Sequence, residues 1–258
     1  VPGLEKYHGQ NIFLTEALTL EINEAISAAV REEKPFFAYM SHYAVHTPFQ
    51  SDERFAANYT NVEKKSLAAY ATLIEGMDKS LNDMLDHLEK IGVAENTIVI
   101  FLGDNGSDAP AGGTHDIASS APLRAKKGTH YEGGMRVPFI ASWAKPDPDN
   151  TFQKERPIPS GAINTTDIGV AYDVFTTVLN VAGGDYKEHI VDGIDLSPIF
   201  LSGKGSTANR EFLMHFPHSH RSSYFTAFRK GDWKLIYHYD QNSGPSDDKI
   251  ELFNLAAD

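Results

Sequence analysis

Residues 97–106 read Thr-Ile-Val-Ile-Phe-Leu-Gly-Asp-Asn-Gly. A short apolar run bounded by turn residues predicts a buried strand. Just past its end stand Asp104 and Asn105, a carboxylate and an amide, both oxygen ligands for a hard cation such as Ca²⁺ or Mg²⁺. In open α/β sheets the carboxyl ends of the strands are where ligands bind. Asp-Asn-Gly is also a common tight turn, and the strand alone does not separate the two readings.

Three other stretches carry chemistry. His46, in His-Thr-Pro, follows a second predicted strand and so falls on the same sheet edge; an imidazole there donates or accepts a proton near neutral pH. Eleven histidines are present, so a hydrogen-bonded loop histidine is the competing reading. Residues 124–136, Arg-Ala-Lys-Lys-Gly-Thr-His-Tyr-Glu-Gly-Gly-Met-Arg, concentrate Arg124, Lys126, Lys127 and Arg136 among glycines. Glycines allow close backbone approach and the cations hold oxyanions, as an anionic ester would require; a solvated basic loop is the alternative. Glu132 is expected to tie this loop together rather than act as a base. The segment 215–220, His-Phe-Pro-His-Ser-His, suggests a pocket rim in which His215, His218, His220 and Arg221 contact substrate, in preference to a transition-metal site. Finally, Ser120-Ala121-Pro122-Leu123-Arg124 matches the bare pattern Ser-x-Pro-x-Arg.

The elements that must position these residues follow from periodicity. Residues 13–33 predict an amphipathic helix with Leu14, Leu18, Ile22, Ile26 and Val30 on one stripe. Pro35 stops it, and 35–41 predicts a buried strand leading to the His46 loop. Residues 62–91 predict a long helix closed by Gly92. Strand 97–102, a glycine-rich loop over 106–134, strand 137–143 and a helix over 168–182 follow. This order indicates an α/β layered domain. Beyond about residue 205, residues 224–239 alternate around a turn at Lys230-Gly231-Asp232 and predict a hairpin, with 251–255 as a further strand.

Bulk composition bounds the function. The chain has 258 residues, 41% hydrophobic and 22% charged, enough for one large domain or a large domain with an appendage. Its net charge of −12 argues against general nucleic-acid binding and means that an anionic substrate needs a local positive cluster or a metal. No apolar run is long enough to span a membrane. The absence of cysteine excludes a thiolate nucleophile or ligand within these residues.

Together the segments 36–49, 97–106, 122–140, 171–183, 192–200, 227–236 and 251–258 resemble, in order, the sulfatase family of the alkaline-phosphatase-like superfamily. The Lys-Gly-x-x-x-Glu-Gly-Gly-x-Arg-Val-Pro element is the most specific of them. The resemblance implies a partial α/β/α sandwich over 1–204 and a small antiparallel α+β subdomain over 205–258. It implies a sulfate ester hydrolase in which Asp104 and Asn105 are two of four protein ligands to Ca²⁺. Lys127 would hold the sulfate, and His46 would protonate the leaving oxygen.

The family nucleophile is a formylglycine made from the Cys or Ser of an early Cys/Ser-x-Pro-x-Arg motif, and two further Asp ligands come from a first strand. Neither is found here. Ser120 runs directly into the Lys127 element, as that later motif normally begins, and is not expected to be the nucleophile. The chain therefore resembles the later part of a longer sulfatase, with formylglycine expected upstream. In isolation it is expected to be inactive, to bind Ca²⁺ poorly and to expose an apolar edge. The expected partners are a sulfated small molecule or glycan, with no nucleic acid and no membrane. The missing N-terminal part, as a separate chain, is a further candidate. A phosphoryl or phosphonate ester hydrolase of the same superfamily and a non-catalytic binding subunit are the alternatives. Family habit suggests a periplasmic or secreted address.

Overall fold

A computed structural model describes residues 2–108, 120–186, 188–200, 206–218, 224–240 and 249–257. These fall into two compact units, one built from 2–97 with Trp143–Pro146, the other from Ile98–Asp108, 120–142 and 147–257.

In the first unit two helices, α1 (Leu14–Arg31) and α2 (Lys65–Lys90), pack on each other. Thr19 Oγ1 meets Ser80 Oγ at 2.5 Å and Ser27 Oγ meets His87 Nε2 at 2.8 Å, so the helices run in the same direction. Ile26, Leu88 and Ala94 form the buried apolar cluster, with Ile22, Val30 and Phe36 against it. The first half of α1 differs from the expected stripe: Thr15, Ala17 and Thr19 are buried while Leu14 and Leu18 are half-buried. Burial of the threonines is possible because Thr19 bonds the Thr15 carbonyl at 2.7 Å as well as Ser80. Gly92, at φ +77°, closes α2 in the left-handed conformation a Cβ would oppose.

The expected strand over 35–41 does not form. This stretch has no ladder among the described residues, and Phe37 and Tyr39 are 68% and 81% exposed. Its apolar β-type composition suits a central strand, but a strand exists only through its neighbours' hydrogen bonds.

In the second unit β1 (Ile98–Leu102) pairs with β2 (Phe139–Trp143), whose last residue belongs to the first. Gly103 N–H donates to Pro138 C=O at one end and Ala144 N–H to Thr97 C=O at the other, which makes the pair antiparallel. Between them lies the short helix α3 (Glu132–Met135). The helices α4 (Thr151–Glu155), α5 (Asp173–Val181) and α6 (Ser197–Phe200) follow.

Asp173 organises this region. It is fully buried, accepts the backbone N–H groups of Val170 and Ile194, and takes a bidentate ion pair from Arg210, with one contact at 2.8 Å. Replacing it by Ala strands the guanidinium. The expected cost is about 3–5 kcal/mol, the usual result of breaking a buried pair from one side. Equilibrium urea unfolding checks this, and an unchanged midpoint for Asp173→Ala contradicts it.

The chain ends in an antiparallel meander of β3 (Glu211–Phe216), β4 (Phe225–Lys230), β5 (Trp233–His238) and β6 (Ile250–Asn254). β4 and β5 are the expected hairpin, with Lys230 opposite Trp233. β3 occupies the start of the expected histidine-rich rim. Its inner positions Met214 and Phe216 join Phe225, Ala227, Ile236 and Phe253 in a core that also takes Tyr131 from the basic element. The sheet is thus the platform on which residues 124–135 rest.

Candidate active site

The Asp-Asn-Gly turn and the basic element are joined backbone to backbone. Gly106 N–H donates to Gly134 C=O at 3.0 Å, and Lys127 N–H donates to Ser107 C=O at 3.1 Å. Within the element, Gly133 N–H donates to Arg124 C=O at 2.8 Å. A Cβ built on Gly133 would fall 2.3 Å from Ala125 O, so glycine is required by close approach. The hydroxyl of Ser120 accepts the Ser107 N–H at 3.0 Å, which gives this serine a structural task in the same junction. Asp104, Asn105 and Lys127 are thereby brought into one neighbourhood, although about two dozen residues separate them in the chain.

The cations of the element divide by role. Arg124 lies 3.8 Å over the Tyr131 ring and 3.8 Å from a Glu251 oxygen; Lys126 pairs with Asp108 at 3.5 Å. The half-buried Lys127 ammonium has no ion pair or hydrogen-bond partner among the described residues, and neither does the exposed Arg136 guanidinium. Asp104 is exposed with its carboxylate equally unengaged, and Asn105 spends its Nδ2 on Gly106 C=O at 2.9 Å, leaving Oδ1 open. The turn therefore presents two oxygen ligands, and the element bonded to it through its backbone carries an ammonium uncommitted among the described residues. Oxygen-only donors fit Ca²⁺ in kind, but they supply two of the roughly six to eight oxygens it takes.

Glu132 ties the element down, as expected, but to the sheet: Lys234 Nζ donates to it at 2.8 Å and Arg229 stands at 3.7 Å. Lys234 is 2% exposed; burial pushes its pKa down while Glu132 pulls it back up. Beside it, Glu251 accepts from His238 Nε2 at 2.8 Å and from Tyr131 Oη at 2.9 Å. Burial would raise Glu251, but these hydrogen bonds hold it below the ordinary carboxylate range. Burial and the Glu251 hydrogen bond push the Tyr131 hydroxyl up to about 12. Lys234, His238 and Glu251 were not singled out by the sequence. The signal available was the strict alternation of 233–238, which puts Lys234, Ile236 and His238 on one face.

His46 is exposed in the first unit, with Nδ1 2.8 Å from the Thr47 carbonyl oxygen. His218 is exposed beyond β3, its ring 3.9 Å from that of Phe216. His215 bonds Thr226 Oγ1 at 2.8 Å on the neighbouring strand. His220 and Arg221 lie outside the described residues.

Comparison with known proteins places this arrangement. The family profile described as Sulfatase matches residues 5–184. A sulfatase of Formosa agariphila is 29% identical over 97% of this chain and 47% of its own length. The human steryl-sulfatase is 30% identical over 79% of this chain and 32% of its own. The solved structure of Ps i-CgsB in complex with k-i-k-neocarrahexaose is 26% identical and superposes with a TM-score of 0.77, covering 95% of this chain and 49% of that one. The chain spans about half the length, or less, of these relatives. Its fold is the alkaline-phosphatase-like α/β fold of those structures, with the antiparallel meander at its end. The matched family profile covers well over half the chain, and the chain belongs to the sulfatase family.

Proposed function

We propose that the whole protein hydrolyses a sulfate ester and that this chain supplies the oxyanion-holding part of its active site. The observation that carries this reading is the Lys127 ammonium, unpaired among the described residues, on an element bonded through its backbone to the Asp104-Asn105 turn. A sulfate monoester is a compact anion, and a preorganised ammonium in a water-poor site stabilises charge on its oxygens. Asp104 and Asn105 would contribute two oxygens to a Ca²⁺, which when bound neutralises charge on the transferred group. His46 would hold a proton for the leaving oxygen. Formylglycine from upstream would provide the attacking oxygen.

On this reading 1–204 is the later part of the catalytic domain and 205–258 a small subdomain supporting it. The substrate is a sulfated glycan or small molecule, with His218 at the rim; the hexaose named in the Ps i-CgsB structure supports the glycan class. A periplasmic or secreted address belongs to the same proposal.

Paired assays of the full-length protein on an aryl sulfate and the matching aryl phosphate test the reaction. The sulfate is expected to be turned over at least about tenfold faster in kcat/KM, a difference of about 1.4 kcal/mol. Preference for the phosphate would favour the phosphoryl hydrolase alternative and overturn the reading.

A further inference from the structure

His130 sits three positions after Lys127 and is 1% exposed, yet neither ring nitrogen has a hydrogen-bond partner. Burial, with His238 next to it, lowers its pKa to about 4, so the ring is neutral. An imidazole buried in this way normally satisfies at least one nitrogen. The groups facing it are Glu251, whose Oε1 is 3.9 Å from His130 Nε2, and His238, whose Nε2 is 2.8 Å from the same oxygen. Their ligand atoms all lie within 4.8 Å of one another. A tetrahedral zinc with bonds near 2.1 Å needs donors about 3.4 Å apart. The two distances to Glu251 bracket that value, and the two histidine donors lie no more than 4.8 Å apart, so side-chain shifts of up to about 1.4 Å would close the three donors on an ion.

The surroundings suit such a site. Tyr131 Oη donates to both oxygens of Glu251, at 2.9 and 3.2 Å, orienting the carboxylate from outside. Arg124 stands 3.8 Å from Oε2, and the nearby charge of Lys234 is already matched by Glu132 at 2.8 Å. The rings of Tyr131 and Phe225 lie 4.3 and 4.7 Å from that of His130, an apolar wall around a polar centre.

We propose that His130, His238 and Glu251 form a transition-metal site, zinc being the ion their chemistry fits, with a water in the fourth position. Two imidazoles and one carboxylate are donors for zinc rather than for calcium. The site is separate from the oxygen-only turn at Asp104 and Asn105, and does not depend on the reaction assigned above. Metal entry would replace the hydrogen bond between His238 Nε2 and Glu251 Oε1, with the Nε2 lone pair turned to the ion and the ring proton carried on Nδ1. The ligands come from the basic element, β5 and β6, so the ion would clamp the segment carrying Lys127 to the sheet.

The test uses the full-length protein, stripped of metal by chelation and titrated with Co²⁺. Stoichiometric visible absorption of a four-coordinate site is expected, displaced by Zn²⁺ but not by Ca²⁺. It should persist in Asp104→Asn and vanish in His130→Gln and His238→Gln. Circular dichroism establishes which variants fold. No absorption in the wild type, or absorption that survives in a folded His130→Gln, overturns the proposal. If both histidine variants fail to fold, zinc X-ray absorption on the wild type decides. Two imidazole nitrogens at about 2.0–2.1 Å support the site, and an oxygen-only shell overturns it.

Discussion

Gly106→Ala is expected to destabilise the second unit by more than about 4 kcal/mol, in the rare range where a single substitution is diagnostic of its mechanism. The reason is distance. A Cβ on Gly106 would stand 1.8 Å from Gly133 O, 2.7 Å from Gly133 C and 3.0 Å from Gly134 Cα. Every one of these is backbone, so no rotamer change relieves the contact. Relief requires the turn and the basic element to part, which breaks the Gly106–Gly134 bond and strains the Lys127–Ser107 bond. Ordinary overpacking costs about 1–3 kcal/mol because side chains give way; here the peptide planes themselves must move. Gly169→Ala is the matched control. Its new methyl would meet the flexible Leu196 side chain at 3.0 Å, and a cost within about 1 kcal/mol is expected. Urea midpoints for the two variants measure the contrast, and equal midpoints would remove the close approach as the reason for these glycines.

The same junction shows how far the sequence could be read. The apolar run before Asp104 and the glycine-rich basic stretch were each legible, because strand periodicity and charge clustering are local properties. The helices at 14–31 and 65–90 and the hairpin at 225–238 were legible for the same reason. The bonding of the turn to the element follows from no local pattern. It depends on carbonyls that face each other only after folding.

One misreading and two features that went unread share that cause. The stretch 35–41 has a strand's composition but no ladder among the described residues, and composition does not report whether neighbours are present. Along 233–238 two phases of alternation compete, and hydropathy favours Trp233, Leu235 and Tyr237 as the inner set. The structure buries Lys234 and His238 instead and leaves Trp233 52% exposed. Lys234 can turn inward because Glu132, 102 positions away, is there to meet it. His130 was likewise one of many histidines until the fold set it against His238 and Glu251.

Lys127→Ala carries the largest expected effect on activity. Among the cations of residues 124–136, Arg124 and Lys126 are engaged with Glu251 and Asp108, whereas Lys127 combines partial burial with an ammonium uncommitted among the described residues. Its fixed position comes from its backbone bond to Ser107 rather than from its side chain, so truncation leaves the scaffold intact. Stability should change by no more than about 0.5 kcal/mol, as for substitutions away from packed or paired features. Loss of one preorganised charge donor typically lowers kcat by about 10²–10³. Arg136→Ala, at an exposed position of the same element, is expected to do much less.

The decisive measurement is steady-state hydrolysis of an aryl sulfate by the full-length protein and its Lys127→Ala variant, with urea unfolding run on both. The reading of Lys127 as the sulfate-holding group predicts a fall in kcat/KM of at least about a hundredfold at unchanged stability. Equal kcat/KM in two equally stable proteins would contradict it, and with it the assignment of this junction as the active site.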